Sequence, residues 1–295
     1  MRRFEAFPVV VNYNIHIRKR AWPEEVKLHE AKEYVQEREL SIKTTTTSDS
    51  TIENNLWKDE IDKFETRVVT CLERIKRHTI GRMVLGSINK QTTVWIVPRS
   101  DAELKERGNH SATTGPLRYE IQTDGSYARG AGSGDTQILF HPSFGDDVLF
   151  HELVHAYRYS YKKFSPMPYY VRTDRSTNTS NSEEFFAHHM QNMYLSQGNR
   201  KLGLDYTWGG NDDKNEVYDF MLQNVDTLML LKYFLLNDPM ARLASSRLDA
   251  PFNPFRDYKM LEAKFLENNK SLRELPAFGT MLSSRPALQS ARRVG

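Results

Sequence analysis

The sequence predicts a protein of mixed α and β structure, with most strands before residue 142 and mainly helices after it. Two observations support this prediction. Short β-branched and apolar runs bounded by Pro, Gly or polar loops are typical of strands, and they occur at 92–98, 117–121 and 136–140. Longer stretches with apolar side chains at helical spacing occur at 54–75, 146–161, 180–195 and 216–236.

The first fifty residues are predicted to form a segment apart from the main domain. A β-like run at 9–17 and a charged helical run at 23–40 precede a Thr- and Ser-rich stretch at 43–51, whose residues are all polar. Such a stretch is typical of a linker or an exposed loop. The alternative is that the run at 9–17 adds a strand to the main sheet. The expected parts are an N-terminal segment, a main domain and a loose tail, at 1–50, 51–275 and 276–295.

Glycines and prolines delimit the remaining elements. The helix at 54–75 is expected to stop at Gly81, before a short helix near 83–88. The Gly-rich run at 125–134 precedes a strand instead of opening a helix, so it predicts a hairpin turn and not a phosphate site. Loops are expected at 165–179 and 208–211, and a last helix at 255–268.

The composition excludes several classes of protein. Lys and Arg number 41 against 38 Asp and Glu, a balance that does not suit a dedicated nucleic-acid binder. The single cysteine, Cys71, excludes an internal disulfide and a cysteine-based zinc cluster. The longest apolar stretch, at 220–236, contains charged and amide side chains, so no membrane span is expected. The basic N-terminus lacks the apolar region and the cleavage site of a Sec signal peptide.

A His-Glu-x-x-His motif is formed by His151, Glu152 and His155. Two histidines four residues apart lie one turn apart on the same face of a helix and can bind one Zn²⁺ together. The glutamate between them can then deprotonate a water molecule. Apolar neighbours predict that this helix is buried, where such polar groups without a metal would be costly. We therefore predict one Zn²⁺ per chain; the alternative is a surface helix with a coincidental histidine pair.

A catalytic zinc usually takes three protein ligands, so a third must be found. No histidine follows at the metzincin spacing, and Cys71 is far upstream. The remaining candidates are a carboxylate or one of three histidines, His141, His188 and His189.

The segment at 180–189 answers this requirement best. Ser180 and Glu183 have the spacing of a capping box, which would occupy Glu183 and leave Glu184 free. We predict Glu184 as the third ligand, with Glu183 as an alternative. His188 follows Glu184 by one turn and is a candidate for contact with a ligand or with substrate.

These motifs resemble the zincin metallopeptidases of the gluzincin type. The string Asn181-x-x-Glu184-Phe-Phe-Ala is similar to the glutamate helix of lethal-factor-type metallopeptidases, whose ligand is the Glu directly before Phe-Phe-Ala. That similarity supports Glu184 over Glu183. A wider stretch, at 60–190, resembles the NleD-like family of bacterial effector metallopeptidases in the order and spacing of its elements.

The resemblance implies an α+β, zincin-like fold, in which a small twisted sheet packs on the motif helix and the C-terminal half is largely helical. Family members are delivered into a target cell by bacterial secretion machinery and cleave a protein there. We therefore expect secretion without a Sec signal, into a host cytoplasm or a rival bacterium. Expected partners are a protein or peptide substrate, and a secretion chaperone, an adaptor or an immunity protein, with no nucleic acid.

The expected chemistry is zinc-dependent peptide hydrolysis with Glu152 as the base. The strand at 137–140 is a candidate edge for pairing with an extended peptide. Two alternatives remain: an effector that binds a partner without cutting it, against which the intact Glu152 argues, and an antibacterial toxin with the same chemistry. Candidates for stabilising the oxyanion, all expected in loops, are Tyr169, Tyr170, Arg172 and Tyr206.

Overall fold

The computed structural model shows a mixed α+β fold that is mostly helical and contains a small sheet. The structure describes residues 15–17, 50–98, 112–116, 119–121, 127–129, 135–164, 168–172, 177–204, 207–211, 214–223 and 225–269. The predictions for 23–40, for most of 43–51, for the tail at 276–295 and for Tyr206 lie outside these residues. The chain divides into two compact units between Phe164 and Ser165.

The first unit contains a four-stranded sheet. Its strands are β1 (Ile15–Ile17), β2 (Val94–Pro98), β3 (Thr113–Pro116) and β6 (Thr136–Phe140). The order across the sheet is β1-β2-β6-β3, with β1, β2 and β6 parallel and β3 antiparallel to β6. A separate hairpin is formed by β4 (Tyr119–Ile121) and β5 (Tyr127–Arg129). The strand β5 lies inside the run at 125–134 that was predicted to be a hairpin turn, so the turn prediction is wrong for residues 127–129.

The position of β6 corrects the prediction that 137–140 is a free edge. All five residues of β6 are buried, and the strand is paired on both sides. Within the described part of the sheet the edges are β1 and β3. Because β1 pairs with β2, residues 15–17 belong to this sheet, as the alternative for the N-terminal run proposed; whether the remainder folds without them stays a prediction.

Three helices lie in the described part of the first unit: α1 (Ser50–Arg77), α2 (Thr79–Ser87) and α3 (Asp146–Ser160). The helix predicted at 146–161 is confirmed as α3. Gly81 was expected to stop a helix but lies inside α2, which is a correction. A Cβ at Gly81 would lie 1.8 Å from the carbonyl oxygen of Ile75, so glycine lets α2 start directly beside the end of α1.

The second unit begins with two hairpins around a helix. The first hairpin is formed by β7 (Pro168–Arg172) and β8 (Thr177–Asn181), and the second by β9 (Leu202–Leu204) and β10 (Thr207–Asn211). Between them lies α4 (Ser182–Gln197). The predictions of loops at 165–179 and 208–211 are therefore wrong, because backbone pairing forms these strands without an apolar alternation.

Four further helices lie in the part of this unit that the structure describes: α5 (Lys214–Met221), α6 (Val225–Asn237), α7 (Pro239–Ser245) and α8 (Tyr258–Asn268). The single helix predicted at 216–236 is thus two helices, and the last helix starts three residues later than predicted. The core of this unit holds stacked aromatic rings, with 4.5 Å between the ring centroids of Phe186 and Phe234. Phe186 is fully buried, which fixes α4 in the unit.

Candidate metal centre

The helix α3 is an interior element of the first unit. Its apolar residues Leu149, Leu153 and Val154 have no exposed surface, in agreement with the burial predicted for this helix. Its start is held by Arg67 of α1, whose guanidinium donates to the carbonyl oxygen of Phe144 from Nη2 at 2.8 Å and from Nε at 3.2 Å. The motif histidines are therefore carried by a helix that has little freedom to shift.

The two motif histidines face each other. Their Nε2 atoms are 3.1 Å apart, and His155 is buried. Two nitrogen ligands bound tetrahedrally to one Zn²⁺ at about 2.0–2.1 Å are about 3.3 Å apart. The ring of Phe164 packs edge-on against His155, with 5.8 Å between the ring centroids. The pair is thus spaced to chelate one ion without a change of backbone.

Glu152 is buried and is hydrogen-bonded to the edge strand β3. The hydroxyl of Thr114 donates to Oε2 of Glu152 at 2.6 Å, and the same oxygen of Thr114 lies 3.1 Å from the backbone carbonyl oxygen of Glu152. Thr114 is not among the site residues predicted from the sequence. No local pattern signals it, because it lies 38 residues from Glu152.

Glu184 lies in the first turn of α4, where the helix dipole favours a carboxylate. The side chain of Asn181 caps this helix and accepts from the backbone N–H groups of Glu183 and Glu184, each at 3.0 Å. The capping residue is therefore Asn181, and the prediction that Ser180 caps this helix is wrong.

A group of three residues offers a set of metal ligands. One ligand atom from each of His151, His155 and Glu184 lies within 4.8 Å of the others, so this group could hold a metal ion. Of the two neighbouring glutamates, it is Glu184 that belongs to the group. Two imidazole nitrogens and one carboxylate oxygen form a donor set that suits a catalytic zinc with one position left for water.

The residues proposed for the oxyanion lie on a strand instead of a loop. Tyr169, Tyr170 and Arg172 belong to β7, and their backbones pair with Ser180, Thr179 and Thr177 of β8. A role for any of the three at the oxyanion stays a prediction.

His188, the other predicted residue near the site, contacts β9. Its Nε2 lies 3.1 Å from the carbonyl oxygen of Gly203 and 3.3 Å from Nδ2 of Asn192. Its neighbour His189 is buried against Phe185, with ring centroids 4.2 Å apart. Burial, together with the nearby His188, holds the pKa of His189 well below its usual value. These contacts make His189 a core residue of the second unit.

Comparison with known proteins adds no assignment. Among the described helices, none combines the length and the apolar character that crossing a membrane requires. No family model matches the chain, and neither a curated protein nor a solved structure matches it. The chemistry of the site residues is therefore what supports a functional assignment.

Proposed function

We propose that this protein is a zinc-dependent endopeptidase of the zincin type. The observation that carries the proposal is the group of His151, His155 and Glu184, which offers the donor set of a catalytic zinc next to a buried glutamate. His-Glu-x-x-His on an interior helix is the arrangement in which a metal and a base act on one water molecule.

Each residue has a distinct role in the proposed reaction. His151, His155 and Glu184 would hold the metal, and a bound Zn²⁺ would supply a Lewis acid that makes water nucleophilic near neutral pH. Glu152 accepts a proton from the attacking water and later passes it to the leaving nitrogen of the peptide. A base that is buried and fixed by a neighbour keeps its position through both transfers.

The proposed binding site for the peptide substrate is an edge of the sheet. An extended peptide can add to a strand edge through main-chain hydrogen bonds, and β3 is an edge strand of the described sheet that also contacts Glu152. We therefore assign peptide pairing to β3 in place of 137–140. Delivery into a target cell, and a protein of that cell as substrate, belong to the proposal through the resemblance to NleD-like effectors.

The first test is the metal content of the purified chain. After dialysis against buffer, the wild type should retain one zinc per chain and Glu184→Gln should retain much less. Glu183→Gln is the matched control, because it removes a neighbouring carboxylate outside the ligand group. Equal zinc content in all three proteins would show that Glu184 is not the third ligand.

The second test is hydrolysis. When a denatured protein is incubated with the wild type, mass spectrometry should detect new peptide termini. With Glu152→Gln, which should keep the zinc, these termini should be absent. Loss of a general base typically lowers the rate by about 10²–10⁴-fold. Activity of Glu152→Gln within a few-fold of the wild type would contradict the mechanism.

A further inference from the structure

The contact between Thr114 and Glu152 bears on the orientation of the Glu152 carboxylate, the proposed base. Glu152 is buried, and in the described part of the chain its carboxylate has one hydrogen-bond donor, the Thr114 hydroxyl at 2.6 Å. Only Oε2 takes part in this bond, so Oε1 is left to receive a proton. The two oxygens of one carboxylate thus have different environments.

Thr114 is itself held by the sheet. Its backbone pairs with Ile138 of β6, which is fully buried and paired in turn with Ile96 of β2. A glutamate side chain has three rotatable torsions, and an unbonded carboxylate would occupy several of their combinations. A hydrogen bond from a paired strand removes that freedom and sets the plane of the carboxylate relative to the sheet.

We propose that Thr114 is a positioning residue for the base Glu152, an inference that rests on the proposed peptidase function. Donation to Oε2 directs proton transfer through Oε1. As the water oxygen bonds to the peptide carbon, Oε1 takes one water proton; when the C–N bond breaks, that proton passes to the nitrogen and the carboxylate is restored. The hydroxyl of Thr114 keeps its own proton throughout.

A purely structural role predicts different behaviour. If the hydroxyl only satisfied a buried oxygen, its loss would lower stability and leave the reaction of the folded protein unchanged. A positioning role lowers kcat, because geometry at the reacting atoms changes while the peptide still binds.

Two substitutions separate these roles. Thr114→Val keeps the shape of the side chain and removes the hydroxyl, whereas Thr114→Ser keeps the hydroxyl. Because the lost bond is to a charged acceptor, kcat should fall about ten- to a hundredfold in Thr114→Val, with KM within about threefold of the wild type. Thr114→Ser should recover most of kcat, and zinc content should be the same in all three proteins.

A spectroscopic measurement tests the contact without any activity. In metal-free protein labelled with ¹³C at the glutamate carboxyl carbons, the Glu152 resonance is assigned by its absence in Glu152→Gln. It should shift in Thr114→Val and return towards its wild-type position in Thr114→Ser. An unshifted resonance in Thr114→Val would overturn the contact in solution and the inference with it.

The outcomes distinguish this inference from the proposed function. An active wild type with kcat of Thr114→Val within threefold overturns the positioning role alone. A zinc-loaded wild type that hydrolyses no peptide overturns the proposed function, and with it the inference that depends on it. A fall in kcat that Thr114→Ser does not recover assigns the effect to β3 packing and also overturns the inference.

Discussion

Asn181 provides a test of whether the first turn of α4 holds Glu184 in place for a metal. In Asn181→Ala the backbone N–H groups of Glu183 and Glu184 lose an acceptor that lies 3.0 Å from each. Loss of an N-cap of this kind costs about 0.5–2 kcal/mol. If that cost falls on the metal-bound form, the Kd for Zn²⁺ rises by about 2- to 30-fold, because about 1.4 kcal/mol corresponds to a factor of ten.

The assay is a competition titration with a chromophoric zinc chelator, together with a thermal melt of the metal-free protein. The matched control is Asp238→Ala, which removes the cap of α7 in the same unit. Its Oδ1 accepts from the backbone N–H groups of Met240 at 2.8 Å and Ala241 at 3.4 Å. Asp238→Ala should lower the Tm and leave zinc affinity unchanged.

One result would refute the reasoning. If the Tm falls in both variants while the Kd of Asn181→Ala for Zn²⁺ stays within twofold of the wild type, the cap stabilises the fold without positioning Glu184. Asn181→Asp keeps the acceptor and should behave like the wild type in both measurements.

Three further predictions concern stability. Gly81→Ala should destabilise the fold by about 1–3 kcal/mol in thermal melts, because its Cβ would overlap the Ile75 carbonyl oxygen; Gly115→Ala, whose Cβ meets nothing within 4 Å, is the control. Because burial lowers the pKa of His189 in the folded chain, the unfolded chain takes up its proton near pH 6.5, whereas the folded chain takes it up only at lower pH. The free energy of unfolding should therefore fall on acidification by up to about 1.4 kcal/mol per pH unit, and it should fall less steeply in His189→Leu. The measurement is urea denaturation at several pH values, and the same dependence of the unfolding free energy on pH in both proteins would contradict this. A fragment starting at Ser50 should bind zinc but melt at a lower temperature, since β2 loses its partner β1; an unfolded fragment would show that the N-terminal segment is not separable.

The sequence predicts the elements that carry the metal group well, since local patterns determine them. The helix α3 follows from apolar residues at helical spacing around His151 and His155, and it is observed within one residue of the predicted end. The start of α4 is misplaced by two residues, because Ser180 and Asn181 are both good caps and the sequence alone does not choose between them.

What the sequence does not predict depends on contacts between distant residues. The place of β6 inside the sheet is set by its pairing with β2 and β3, and a short apolar strand looks the same at an edge or in the middle. The strand β8 contains only Thr, Asn and Ser, and β7 has adjacent Tyr and Val residues without a polar residue between them, so the hairpin shows no apolar alternation. The bond from Thr114 to Glu152 likewise requires the folded sheet.

The junction of β8 and α4 does not tolerate a change in the number of residues between the strand and the helix. Asn181 is the last residue of β8 and the cap of α4, so no linker separates the hairpin from the helix. One residue inserted after Asn181 would rotate the rest of α4 by about 100° relative to the strand, since a helix turns once in about 3.6 residues. Glu184 would then point in another direction although every side chain is still present. Insertions and deletions here should therefore be tolerated far less than substitutions.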